Sequence, residues 1–186
     1  MTKRTKRHGR VILTLLLALI LSGAAYVSDF YRAADTAFAA LESTETVAVS
    51  ASADRVVFRP REPKAGLIFY PGGKVEFTAY APLMQELARE DVLCILLKMP
   101  LNLAVLDMDA AEGLRKEYPE VTRWYLGGHS LGGSMAASYL ASHTEDFDGL
   151  ILLGSYSTAD LSQSGLAVLS VYGSEDGVLN REKYAE

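Results

Sequence analysis

The stretch Leu126-Gly127-Gly128-His129-Ser130-Leu131-Gly132-Gly133 joins a run that reads as a strand, Arg123 to Gly127, to one that reads as a helix, Leu131 to His143. It contains Gly-x-Ser-x-Gly at positions 128 to 132. A chain of this composition meets that pattern by chance about one time in ten, so its weight comes from its setting. A serine at a sharp strand-to-helix turn needs small neighbours on both sides, because the strained backbone brings residues two positions away against each other and against the helix. Gly128 and Gly132 meet that need. The following helix aims its first N–H groups at the turn, so the Leu131 amide is suited to hold a negative oxygen beside Ser130. Stripped of the flanking strand and helix, the same residues would be a glycine-rich turn with an incidental serine.

Working outward, short apolar runs alternate with longer amphipathic ones. Val47 to Ser52 and Arg55 to Arg59 read as a pair of strands, with Pro60 and Pro63 ending the second. Leu67-Ile68-Phe69-Tyr70 is a strand stopped by Pro71-Gly72-Gly73-Lys74, and Tyr80 to Glu90 is a helix with Leu83, Met84 and Leu87 on one face. Val92 to Leu97 is the next strand, Leu103 to Tyr118 the next helix, and Leu150 to Leu153 and Leu166 to Tyr172 are further strands. This order requires parallel strands with crossover helices on both faces, an α/β architecture. Cys94, centred in its strand, reads as a small buried hydrophobe, and a single cysteine excludes both a disulfide framework and a Cys/His zinc cluster. There is no phosphate-binding glycine loop and no carboxylate cluster of metal-ligand spacing, so the chemistry implied needs no cofactor and no metal. Tyr156, after the Leu150–Leu153 strand, is a candidate pocket wall.

With the serine turn and Pro71-Gly72-Gly73-Lys74 both in view, residues 46–186 resemble the α/β-hydrolase superfamily, specifically its small bacterial members. The resemblance implies a serine hydrolase acting on an ester or related acyl bond of a small-molecule substrate, with Ser130 as nucleophile. It places the second oxyanion donor in the loop after Tyr70, at the backbone of Gly73, with Gly72 and Lys74 as near alternatives. Glycine suits that place because its backbone approaches a substrate oxygen with no Cβ in the way. It also puts the acid of the triad on Asp176, in Ser174-Glu175-Asp176-Gly177 at the end of a strand, with Glu175 expected to point away. The family's base is a histidine in a loop beyond one more strand, and none of His8, His129 and His143 stands there. The fold is therefore expected without its final strand and helix. Two alternatives to an active enzyme follow: a catalytically silent surface domain, or a fragment of a longer one.

The 186 residues carry a net charge of −5, unevenly spread. Lys3, Arg4, Lys6, Arg7 and Arg10 supply five of the 18 basic residues, and all 23 acidic residues lie beyond them, so the body repels phosphate backbones and a nucleic-acid partner is excluded. Behind this basic head, Val11 to Val27 is free of charge and as a helix covers about 25 Å, just short of a hydrocarbon core. The domains expected are a cytoplasmic head at 1–10, a membrane anchor or signal peptide at 11–27, a linker helix at 28–45 and the hydrolase domain at 46–186. The positive-inside bias keeps the head in the cytoplasm and everything from Ser28 outside it, held at the cell membrane by the anchor. Cleavage near Gly23-Ala24-Ala25 would secrete the domain instead.

Overall fold

The computed structural model describes residues 3–177. The chain divides into two units, residues 1–30 and 31–186.

The first unit is helix α1, Lys3–Ser28. Its segment Arg10–Ser28 has a mean hydropathy of 2.3 and is long and apolar enough to cross a membrane. The hydroxyls near its two ends are satisfied within the helix. Thr14 Oγ1 donates to Arg10 O at 3.0 Å and Ser28 Oγ to Ala25 O at 3.0 Å, so neither needs water as a partner.

The second unit is built on a seven-stranded sheet: β1 (Val47–Ala51), β2 (Arg55–Pro60), β3 (Ala65–Tyr70), β4 (Val92–Leu97), β5 (Trp124–His129), β6 (Gly149–Leu153) and β7 (Ala167–Val171), in the order β1-β2-β4-β3-β5-β6-β7. The first two strands are antiparallel to each other, and β2 is antiparallel to β4. All pairings from β4 through β7 are parallel, as the alternation of runs in the sequence requires. Helix α3 (Ala81–Arg89) packs with the Leu67, Phe69, Cys94 and Leu96 side of the sheet, and helix α2 (Asp35–Ala39) lies against α3. Helix α4 (Leu131–Leu140) packs with the Ile68, Tyr70, Ile95 and Leu126 side. Strand residues thus alternate between two cores, and Cys94 is buried and unpaired.

The path from β3 goes to β4 on one side and then to β5 on the other. That reversal opens a crevice at the C-terminal ends of β3 and β5, where open α/β sheets bind ligands. The register Tyr70↔Gly128 brings the loop after β3 and the turn after β5 to the same edge.

Two expectations are corrected. Residues 28–45 are not one helix: α1 ends at Ser28, Tyr31 pairs with Val75 as an isolated bridge, and only Asp35–Ala39 is helical in between. Nor is Leu103 to Tyr118 a helix; it holds short 3₁₀ turns at Ala104–Leu106 and Leu114–Glu117. Within it Asp107 takes φ of −155° with ψ of 69° and Gly113 takes φ of 75°, so a continuous i to i−4 ladder cannot run through the segment. The buried Tyr70 hydroxyl substitutes for that ladder, donating to Met108 O at 2.6 Å and accepting from Ala111 N–H at 3.1 Å. Elsewhere the boundaries shift modestly: β5 runs on to His129, and α4 stops at Leu140.

Beyond α3 the same face of the sheet is open among the described residues. An apolar groove of about 310 Å³ runs there between Leu67, Leu87, Tyr125, Ile151 and Val168, and every residue of β7 is exposed. It lies on the sheet face, away from the crevice.

Replacing Tyr70 by Phe should lower unfolding free energy by about 1–3 kcal/mol, because a buried carbonyl and a buried amide both lose their partner. Urea denaturation monitored by the Trp124 fluorescence checks this.

Candidate active site

The serine turn is strained in the way its sequence implies. Ser130 has φ of 50° and ψ of −124°, a conformation costly for a residue with a side chain. What holds it there is a set of bonds to the end of β6. Ser130 N–H donates to Leu153 O at 3.0 Å, and the Ser130 carbonyl accepts from Ser155 Oγ at 2.7 Å and Ser134 N–H at 3.2 Å. Ser155 is 2% exposed and its Oγ lies 3.2 Å from Ser134 Oγ, while Ser134 Oγ donates to Tyr156 O at 3.0 Å. Sequence reasoning missed Ser134 and Ser155. The only signal was their placement, one turn into α4 and just past β6, which is indistinguishable from ordinary serine usage.

The two glycines are required by contact. A β-carbon on Gly132 would lie 2.2 Å from Pro71 O and 2.4 Å from Tyr70 O, and one on Gly128 would lie 2.6 Å from the Gly132 carbonyl carbon. The start of α4 therefore rests directly on the backbone of the loop after β3. Gly73 comes against Leu131: a β-carbon there would sit 2.9 Å from Leu131 Cδ2. The structure thus brings together the two residues singled out as oxyanion donors. It also separates Gly73 from its near alternatives. Gly72 N–H donates to Tyr80 Oη at 3.0 Å and Lys74 N–H to Asn102 O at 2.8 Å, so both flanking amides are already engaged.

His129 stands between these parts. Its Nδ1 lies 2.8 Å from Tyr80 Oη. Because Tyr80 Oη accepts from Gly72 N–H, its own proton is free to go to Nδ1, which puts the imidazole proton on Nε2. That nitrogen faces Gly154 and Asp176: a β-carbon at Gly154, whose φ is 51°, would be 3.5 Å from Nε2 and 3.7 Å from Asp176 Oδ2. Burial pushes the His129 imidazole below its ordinary value, with the Asp176 carboxylate opposing the shift. Asp176 is half-buried and Glu175 exposed. The imidazole nearest the acid, however, belongs to the residue before the serine.

The other histidines lie elsewhere. His143 follows α4, with Nδ1 2.8 Å from Tyr139 O and its ring stacked on Tyr139. His8 belongs to α1. Tyr156, the candidate pocket wall, is half-buried with its carbonyl bonded to Ser134. No group of three or more His, Cys, Asp or Glu suited to a metal ion occurs among the described residues.

Comparison with known proteins agrees with this fold. The model of a family described as "Alpha/beta hydrolase family" matches residues 66–186. No curated protein matches. Among solved structures, TT1662 from Thermus thermophilus superposes with a TM-score of 0.59 at 15% identity, over 74% of this chain and 79% of that one. A dienelactone hydrolase from Anabaena variabilis gives 0.54 at 14% identity, over 71% and 76%. A carboxyl esterase from Bacillus coagulans gives 0.50 at 17%, over 64% of this chain and 47% of that one. At these identities the likeness is one of fold.

The lowered His129 value carries a consequence for stability. The unfolded chain takes up this proton near pH 6.5, the folded chain only at lower pH, so folding stability is full above pH 6.5 and declines as pH falls through that window. Replacing His129 by Gln should flatten this part of the profile of unfolding free energy between pH 7 and 5; an unchanged slope would contradict the assignment.

Proposed function

The chain belongs to the alpha/beta hydrolase family, and from that premise we propose that it is a serine hydrolase of carboxylic esters or related acyl bonds, anchored in the membrane by α1. The observation that carries the reading is the Ser130 elbow. A positive-φ serine, wedged between two glycines that admit no side chain and seated at the N-terminus of a ten-residue helix, is costly to build and has no evident packing purpose.

In the reaction, Ser130 Oγ adds to the substrate carbonyl. The carbonyl oxygen takes up negative charge as the Oγ–C bond forms, and the amides of Leu131 and Gly73 are the donors available to it, helped by the dipole of α4. Collapse of the adduct expels the alcohol, which leaves with the serine proton. Water then attacks the acyl-serine, releasing the acid and restoring Ser130. Asp176 is suited to charge-stabilise an imidazole that carries the proton between these steps, a role in which no described histidine is hydrogen-bonded to Ser130. The position of the catalytic edge, at the switch between β3 and β5, supports this assignment.

A second reading is favoured by one observation. The Nδ1 of His129 is taken by Tyr80 and His143 lies beyond the end of α4, so no described histidine is placed by a hydrogen bond on Ser130. On that reading the domain binds an acyl ligand without turning it over.

Reaction with a fluorophosphonate, followed by intact mass and peptide mapping, separates the two. A competent elbow gives a single adduct on Ser130 that is lost in Ser130→Ala, whereas a silent domain gives none. Replacing Asp176 by Asn should slow adduct formation by about 10²-fold or more if the carboxylate supports proton transfer. An unchanged rate would remove Asp176 from the site.

A further inference from the structure

The chain between the apolar helix and the catalytic edge is short, and its far end is fixed. Tyr31 N–H donates to Lys74 O at 2.8 Å, and Glu76 N–H donates to Tyr31 O at 2.8 Å. Ala33 N–H adds a bond to Glu76 Oε2 at 2.9 Å. Lys74 directly follows Gly73, so the segment entering the domain is stapled to the loop that carries the proposed oxyanion donor. Helix α1 ends at Ser28. Three peptide links separate Ser28 from Tyr31, and three links reach at most about 11 Å. Covalent length alone therefore limits how far Tyr31 can lie from residue 28.

The surface at the mouth of the site is unusually apolar for one meant to face water. Leu101, Val105, Leu106 and Met108 are 57%, 50%, 54% and 41% exposed, within eight consecutive residues. Their segment is tied to the same edge twice, through Lys74 N–H to Asn102 O and through Tyr70 Oη to Met108 O. Leu101 and Asn102 hold positive φ, so the backbone at the start of this segment is not helical. Tyr31, 76% exposed, is of the type enriched where membrane meets water. Asp107 and Asp109 flank Met108, which disfavours an anionic surface.

We propose that the catalytic edge is a lipid-binding surface, with Leu101, Val105, Leu106 and Met108 seated at a zwitterionic bilayer, and that the substrates are acyl esters held in that bilayer. The proposal rests on the reading of α1 as an uncleaved anchor and of Ser130 as the nucleophile.

Its test uses the full chain in phosphatidylcholine vesicles. Cys94 is buried, so a dye attached to Val105→Cys or to Glu62→Cys, at the opposite end of β3, reports one position each. Lipids carrying a nitroxide at the headgroup should quench the dye at 105 and spare the one at 62. A fluorophosphonate with a long alkyl chain, dissolved in the bilayer, should label Ser130 at least about tenfold faster than a short soluble one at equal bulk concentration. Inserting 20 Gly/Ser residues between Ser28 and Asp29 should bring that ratio towards one, with labelling by the soluble probe unchanged. Equal quenching at 62 and 105, or none at 105, overturns the orientation whatever Ser130 does. Quenching at 105 with equal labelling by both probes overturns the substrate class. Quenching at 105 with no labelling by either overturns the serine chemistry while supporting the bilayer-facing surface. A chain whose intact mass lacks the residues before Tyr26 overturns the anchor.

Discussion

The backbone of Gly132 lies against the carbonyl oxygens of Tyr70 and Pro71, with no room between them for a single carbon atom. That contact joins the first turn of α4 to the loop after β3, and the arrangement of the site follows from it. It fixes how closely the nucleophile turn and the Gly73 loop approach, and so whether two amides from different parts of the chain can serve one oxygen. Close packing of backbone on backbone is also stiff, because there are no rotamers through which it can relax. The strain at Ser130 persists because this contact and the bonds from Leu153 and Ser155 over-determine the turn.

Around this contact runs a line of polar groups: Gly72 N–H to the Tyr80 hydroxyl, Tyr80 to His129 Nδ1, and His129 Nε2 towards Gly154 and Asp176. It links the loop after β3, the Ser130 turn and the Asp176 loop, each on a different strand end. Burial keeps His129 neutral, which suits an imidazole that must accept at one nitrogen and donate at the other. The line also consumes the Gly72 amide, which leaves the neighbouring Gly73 amide as the proposed donor to substrate. His129 and Tyr80 therefore shape the site by what they occupy.

Much of this was legible in the sequence for a physical reason. The order of strands and helices follows from hydrophobic runs buried on both faces, and Gly128, Ser130 and Gly132 announce a turn that only small residues permit. The Tyr80–His129 bond was not legible, because it joins residues 49 positions apart through a tilted ring contact that no periodicity encodes. The failure at Leu103–Tyr118 has a clearer cause. The apolar spacing there suits a helix, but Tyr70, more than thirty residues away, satisfies the backbone at Met108 and Ala111 and the chain turns instead. Local pattern lost to a single buried hydroxyl. Residues 28–45 misled similarly, since their helical spacing gives no hint that Tyr31 pairs with Val75.

The central claim is that the fold bears a conformational cost at Ser130 in order to present its hydroxyl. The most direct measurement is the unfolding free energy of Ser130→Gly against the parent chain, by urea denaturation. Glycine adopts φ near 50° without strain, and the relief of about 1–3 kcal/mol outweighs the extra freedom of about 0.5–1 kcal/mol that glycine adds to the unfolded chain. The account predicts a variant that is more stable by about 1 kcal/mol and forms no fluorophosphonate adduct. A variant less stable than its parent would mean that Ser130 serves the turn itself, and would contradict the account.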